Sequence, residues 1–187
     1  MGDLLTFPIN PVAAVLGGLG PRRGLHRGTS ATSWYELGCR LEGGEGRGEV
    51  QSEVRDVRGA QAAYERAIAG CPTFADAHNN LGRLHHDAGS LAVAESCYRL
   101  AICADAAIAL YWFNLGVVVE DQGRHAEAIA AYEQALAIDP HAADVHYNLA
   151  RLFELSGRRV GDAGVMRSAV RHLLRYRQLT KRNAGVR

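Results

Sequence analysis

The chain has 187 residues, 48% of them hydrophobic, which fits one globular domain or a repeat array of similar mass. Its net charge of +1 does not indicate a polyelectrolyte as its general partner. The charge is unevenly placed, however. Residues 1–157 hold 12 arginines and 19 acidic residues, a balance of −7, whereas residues 158–187 hold nine basic residues and one acidic residue, a balance of +8.

The start of the sequence carries no secretory signal that we recognise. The apolar stretch at residues 12–19 follows no basic segment and is interrupted by Gly17 and Gly18, so we predict neither a signal peptide nor a membrane span. The cysteines form no CxxC pair, and their spacing is not typical of metal ligands. We therefore predict a cytoplasmic protein with reduced thiols, a disulfide or metal site being the alternative. These cysteines are Cys39, Cys71, Cys97 and Cys103.

One period dominates the sequence. The motif Asn-Leu-Gly begins at Asn80 and Asn114, and Asn-Leu-Ala begins at Asn148, so the motif recurs every 34 residues. This pattern resembles the tetratricopeptide-repeat (TPR) family, which has the same period and whose consensus is nearly complete in the third repeat. The residues that match it are Trp112, Leu115, Gly116, Val119, Ala128, Tyr132, Ala135 and Pro140. The resemblance implies an all-α fold, a right-handed superhelix of antiparallel helix pairs with about four repeats.

The period also divides the chain. We predict a repeat domain over 33–180, a disordered or loosely packed segment over 1–32 and a basic tail over 181–187. The repeats are placed at 33–74, 75–108, 109–142 and 143–179, with an inserted loop at 42–56 and an insertion at 158–165. Glycine recurs where the first helix of a repeat ends, and we predict a left-handed helix cap there. These glycines are Gly89, Gly123 and Gly157.

The resemblance further implies a binding surface, because the first helices of a TPR superhelix line its concave groove. Three repeats place an asparagine at the same groove position, and we call Asn80, Asn114 and Asn148 the asparagine ladder. Asparagine donates and accepts hydrogen bonds, so the ladder could pair with the backbone of an extended peptide. Alternatively, these side chains only cap local backbone. Other candidate partner-binding residues are Asn79, Phe113, Tyr147, Arg83, Arg151 and Glu120.

Other kinds of site find little support. Chaperone-binding TPR proteins clamp a carboxylate with cations at two groove positions, one of which here holds Asp76, Leu110 and Asp144. Four histidines raise a metal hypothesis, but no carboxylate or cysteine completes a set at ligand spacing. We found no motif typical of nucleophilic, phosphate-binding or metalloprotease sites, so we predict no catalytic residue, no metal and no cofactor. The histidines are His78, His85, His86 and His146.

A second resemblance concerns the kind of protein. The runs 34–38, 77–85, 113–117 and 171–177 resemble the TPR half of bacterial MerR-type helix-turn-helix transcriptional regulators. Residues 1–33 hold no visible helix-turn-helix, which leaves open a stand-alone adaptor or a start that lacks the DNA-binding domain.

We expect a non-catalytic scaffold that binds a protein or peptide, as a monomer or weak homo-oligomer, with no membrane partner. The alternative is a nucleic-acid-associated regulator that contacts phosphates through a basic C-terminal helix and tail, which could equally be a solvated capping helix. The basic residues concerned are Arg171, Arg175, Arg177, Lys181 and Arg182.

Overall fold

The computed structural model describes residues 30–43 and 56–184, without the side chains of residues 182–184. Every regular element in these ranges is a helix, and the helices form four consecutive pairs, which confirms the predicted all-α repeat architecture. They are α1 (Ala31–Gly43), α2 (Val57–Gly70), α3 (Ala75–Asp87), α4 (Leu91–Ala104), α5 (Ala109–Asp121), α6 (His125–Ile138), α7 (Ala143–Val160) and α8 (Ala163–Ala184). The predictions for residues 1–29, 44–55 and 185–187 lie outside the described residues.

In the first three repeats, the two helices of a pair approach closely where a glycine of the first helix meets a tyrosine ring of the second. A Cβ added at these glycines would lie 2.5–2.9 Å from a ring carbon, closer than real Cβ contacts. The tyrosines are buried, so the space that glycine leaves is filled by the ring. The pairs are Gly38 with Tyr64, Gly82 with Tyr98, and Gly116 with Tyr132.

The core runs along the array rather than forming one central cluster. One group of buried side chains links the first two repeats through Tyr64, Leu81 and Leu84. A second and larger group extends from Tyr98 of the second repeat to Leu149 of the fourth. Because each helix pair has its apolar face covered by its neighbour, the repeats stabilise one another by burying apolar surface.

The turns inside the repeats confirm two of the three predicted glycine caps. Gly89 and Gly123 have φ angles of +75° and +78°, which glycine adopts without steric cost. The prediction for Gly157 is wrong, because α7 continues through this residue as a helix of 18 residues. Its cap is Gly161, at φ +70°. The predicted insertion at 158–165 is therefore the end of α7, the turn, and the start of α8.

A pair of imidazoles links α7 to α8. The Nδ1 atoms of His146 and His172 lie 2.9 Å apart, and His146 Nε2 lies 3.2 Å from the carbonyl oxygen of Pro140. Because a carbonyl can only accept, His146 carries its proton on Nε2 when neutral, and its Nδ1 accepts a hydrogen bond from His172. Burial lowers the pKa of both histidines, and the charges of Arg175 and Arg171 act in the same direction.

We expect this pair to make the protein less stable in mild acid. The unfolded histidines bind protons near their ordinary pKa of 6.5, and the folded ones bind them only at lower pH. The free energy of unfolding should therefore be highest above that value and decline as the pH falls through it, because the unfolded state binds more protons. Urea unfolding at neutral and mildly acidic pH measures the effect. His172→Gln should reduce the pH dependence, the exposed His125→Gln should not, and equal slopes in all three proteins would contradict the assignment.

Candidate functional site: a polar groove along the first helices

Side-chain hydrogen bonds connect each first helix of the array to the next. They join α1 to α3 through Asn80 and Tyr35, and α3 to α5 through Asn79 and Asn114. An ion pair between Arg151 and Glu120 joins α7 to α5. Of the predicted candidates, Asn79 is thus joined to Asn80 and Asn114, and Arg151 to Glu120.

The N-terminal end of the groove contains a four-residue cluster. The Tyr64 hydroxyl donates to Glu42 Oε2 at 2.9 Å, and Arg83 forms an ion pair with the same carboxylate. Asn80 Nδ2 donates to the Tyr64 hydroxyl at 3.4 Å. The carboxylate of the first repeat therefore holds a tyrosine of its own repeat and an arginine of the next.

The C-terminal end contains the same cluster, two repeats further on. The Tyr132 hydroxyl donates to Glu120 Oε2 at 2.9 Å, Arg151 pairs with Glu120, and Asn148 Nδ2 donates to the Tyr132 hydroxyl at 3.1 Å. The Glu120 side chain is only 7% exposed, whereas that of Arg151 is 56% exposed. Burial and the carboxylate raise the pKa of Tyr132 far above its ordinary value, so the hydroxyl remains a donor.

The junction between the second and third repeats is built differently. His86 stands where the clusters have glutamate, and Val117 stands where they have arginine. His86 Nε2 pairs instead with Asp121 Oδ2 at 2.7 Å. Asn114 Nδ2 donates to Asn79 Oδ1 at 2.8 Å, and Asn79 Nδ2 donates to Asn80 Oδ1 at 3.3 Å. The middle of the groove is therefore bridged by an amide chain rather than by an arginine–glutamate pair.

Aromatic side chains flank the C-terminal half of the groove. Phe113 is half-buried, with its ring centroid 6.0 Å from that of Tyr132. Tyr147 is 48% exposed and lies 5.3 Å from the ring of Tyr176 on α8. These rings provide apolar surface next to the asparagines, which suits a ligand with both backbone and apolar side chains.

The asparagine ladder is not a row of three equal groups. The side-chain nitrogen of each asparagine donates to another side chain, not to the local backbone. Asn80 also accepts through its oxygen. In the described parts of the chain, the side-chain oxygens of Asn114 and Asn148 accept no hydrogen bond. The neighbouring Asn79 is buried, so it holds the ladder rather than facing solvent.

Sequence reasoning missed the tyrosines of the second helices as parts of this site. It matched Tyr132 only to the repeat consensus, yet the hydroxyls of Tyr64 and Tyr132 reach the groove and bind its carboxylates. A signal was available. Glu42 and Glu120 lie late in their first helices, and each is followed by an arginine, Arg83 or Arg151, in the next first helix. At the junction of the second and third repeats, the same two positions hold His86 and Val117.

Among residues 30–43 and 56–184, no three His, Cys, Asp or Glu side chains are placed to hold a metal ion. No helix in the same ranges combines the length and the apolar composition that a membrane crossing requires.

Comparison with known proteins agrees with this architecture. A family model described as tetratricopeptide repeat matches residues 46–109, and one described as TPR repeat matches residues 118–157. None of the curated proteins matches the sequence.

Several solved structures share the fold. A crystal structure of MamA aligns with a TM-score of 0.68 at 19% identity, covering 84% of this chain and 82% of that one. MamA 41-end from Desulfovibrio magneticus RS-1 aligns with a TM-score of 0.65 at 17% identity, covering 83% and 78%. MamA MSR-1 aligns with a TM-score of 0.61 at 22% identity, covering 82% and 79%. Identities this low show the fold alone, and together with the repeat matches they establish that this chain has the tetratricopeptide-repeat fold.

Proposed function

We propose that the chain is a non-catalytic scaffold that binds an extended segment of a partner protein in its groove. The proposal rests on the hydrogen bonding of the Asn114 and Asn148 side chains. Their nitrogens are engaged by Asn79 and Tyr132, which fixes the side chains, while their oxygens have no protein partner among the described residues. A fixed acceptor can receive a main-chain N–H of a ligand with little further loss of entropy.

The charges of the groove indicate what kind of segment would fit. Arg83 and Arg151 are both paired with glutamates, so neither is an isolated cation awaiting a terminal carboxylate. The exposed Tyr147 and the half-buried Phe113 offer apolar contact beside the free acceptors. We therefore favour an internal, uncharged peptide segment with an apolar or aromatic side chain over an acidic C-terminus.

Selection of random peptides displayed on phage against the full chain would supply a ligand with which to test this. Asn114→Ala combined with Asn148→Ala should weaken binding about tenfold, because each lost hydrogen bond contributes about 0.5–1.5 kcal/mol. Asn80→Ala is the matched control, since both polar atoms of that side chain already bind protein groups. Circular dichroism would show that all variants remain folded. Equal affinity of the double variant and the wild type would exclude the two asparagines from binding.

The resemblance to helix-turn-helix regulators, the cytoplasmic location and the nucleic-acid alternative remain predictions. For the last, α8 does expose Arg171 and Arg177, but leucines lie exposed between them, which a phosphate-binding face does not need.

A further inference from the structure

The helix α8 exposes apolar side chains. Residues at the same count from the start of the other second helices are covered. Counted from its first residue, each second helix has its eighth, eleventh and twelfth positions on one face. In α8 these are Val170, Leu173 and Leu174, which we call the terminal stripe. Their exposed fractions are 53%, 44% and 52%.

At the same count from the helix start, the residues of the other second helices are covered, the tyrosines by the glycine of the first helix of their own pair. The eighth and eleventh positions are buried in all three, and the twelfth is half-buried against the core. Leu136 at the twelfth position of α6, for example, packs against the cluster that contains Leu149 of α7. The three sets are Tyr64, Ala67 and Ile68; Tyr98, Ala101 and Ile102; and Tyr132, Ala135 and Leu136.

Among the described residues, α7 is the main helix that packs against α8, and this face of α8 is left uncovered. The side chains exposed there are nevertheless apolar, and Leu173 stands where the other second helices have alanine. The surface has the position of a helix-packing face rather than that of a solvated cap.

The charge around the stripe restricts what can cover it. Along the same face of α8, exposed Arg167 precedes Val170, and exposed Arg177 and Lys181 follow Leu174 at helical spacing. The helix contains six basic residues and no acidic residue. Two copies of α8 packed about a twofold axis would bring these cations together, which disfavours a symmetric dimer through this face.

We propose that the terminal stripe docks an amphipathic helix of a partner protein whose apolar face is bordered by glutamate or aspartate. Such a helix takes the place that the first helix of a further repeat would occupy, and its carboxylates lie opposite the arginines and Lys181. The stripe lies on α8 and the asparagines of the groove lie on first helices, so the two sites use different residues.

The test uses the full chain and a display library of helical peptides of about 18 residues, long enough for helix formation. Each peptide carries a fixed leucine stripe, and its flanking positions vary among Glu, Gln and Lys. The enriched peptides should carry Glu at the flanks. Leu173→Ser combined with Leu174→Ser should weaken their binding at least about tenfold, as expected for the loss of central anchors. Leu110→Ser, an equally exposed leucine on α5, should leave affinity unchanged, as should Asn114→Ala with Asn148→Ala.

Several outcomes would overturn the proposal. They are enrichment of Lys- or Gln-flanked peptides, no enrichment at all, and equal affinity of the double serine variant. Phosphatidylserine vesicles and a DNA duplex serve as competing probes. If the full chain bound either one through the terminal stripe, with the leucine changes abolishing that binding while no Glu-flanked peptide bound, the stripe would be a lipid or nucleic-acid surface instead.

Discussion

Replacing Tyr132 by alanine is expected to lower the free energy of unfolding by about 3–5 kcal/mol, as for other large aromatic residues of protein cores. The ring is fully buried between α5 and α6 and fills the space that Gly116 leaves open. Its hydroxyl also binds Glu120 and accepts from Asn148. The alanine variant would therefore lose packing and also leave a buried carboxylate with one partner fewer.

Chemical denaturation followed by circular dichroism measures this effect, and two further variants separate its causes. Tyr132→Phe keeps the ring and removes the hydroxyl, so it should cost about 0.5–1.5 kcal/mol. Tyr147→Ala removes an exposed tyrosine whose main contact is the ring of Tyr176, and should cost about 1 kcal/mol or less. If Tyr132→Ala and Tyr147→Ala lowered the free energy of unfolding by similar amounts, the ring of Tyr132 would not be the main packing residue of its repeat.

Gly116→Leu is expected to cause the second large loss of stability. An added Cβ would lie 2.5 Å from Cε1 of the buried Tyr132 ring, and the rest of a leucine side chain has no space there. Overpacking of a core typically costs about 1–3 kcal/mol and occasionally more. Because the ring cannot move without breaking its bond to Glu120, we expect the upper end of that range.

Gly43→Leu provides the control, since a Cβ added at this exposed helical glycine meets nothing within 4 Å. The thermal midpoint should fall clearly for Gly116→Leu and change little for Gly43→Leu. If both variants melted together with the wild type, the close approach of α5 and α6 would be absent in solution.

The sequence allowed the helix pairs and their packing residues to be predicted, because their signal is periodic. Glycine and tyrosine recur at the interval of the repeat, and α3 to α6 follow that interval without insertions. The prediction failed at Gly157, where α7 is longer than the other first helices. A glycine inside a helix and a glycine that caps one look alike in sequence. In the structure Gly157 lies within α7 and against Met166 of α8, whereas Gly89 and Gly123 have positive φ.

The groove was predicted in outline but not in its bonding. Helical register places the ladder on one surface, yet which atoms remain available depends on contacts between repeats. Asn80 and Asn148 occupy the same position of their repeats, but among the described residues only Asn80 also accepts a hydrogen bond, from Asn79. The helical register of the first helices predicts that Phe113 and Tyr147 lie beside the asparagines. It does not predict that the hydroxyl of Tyr132 enters the site from the second helix of its pair.

Site-specific photo-crosslinking in cells would show whether a partner protein binds in the groove. A photoreactive phenylalanine analogue would replace Tyr147 in the groove, and in a second protein it would replace Glu133, an exposed residue of the second helix α6. Both full-length proteins would be irradiated in cells and their adducts identified by mass spectrometry. We predict a distinct protein adduct from position 147 that is absent from position 133 and is diminished by Asn114→Ala with Asn148→Ala. The same adducts from both positions, or an adduct from position 133 alone, would contradict a binding groove along the first helices.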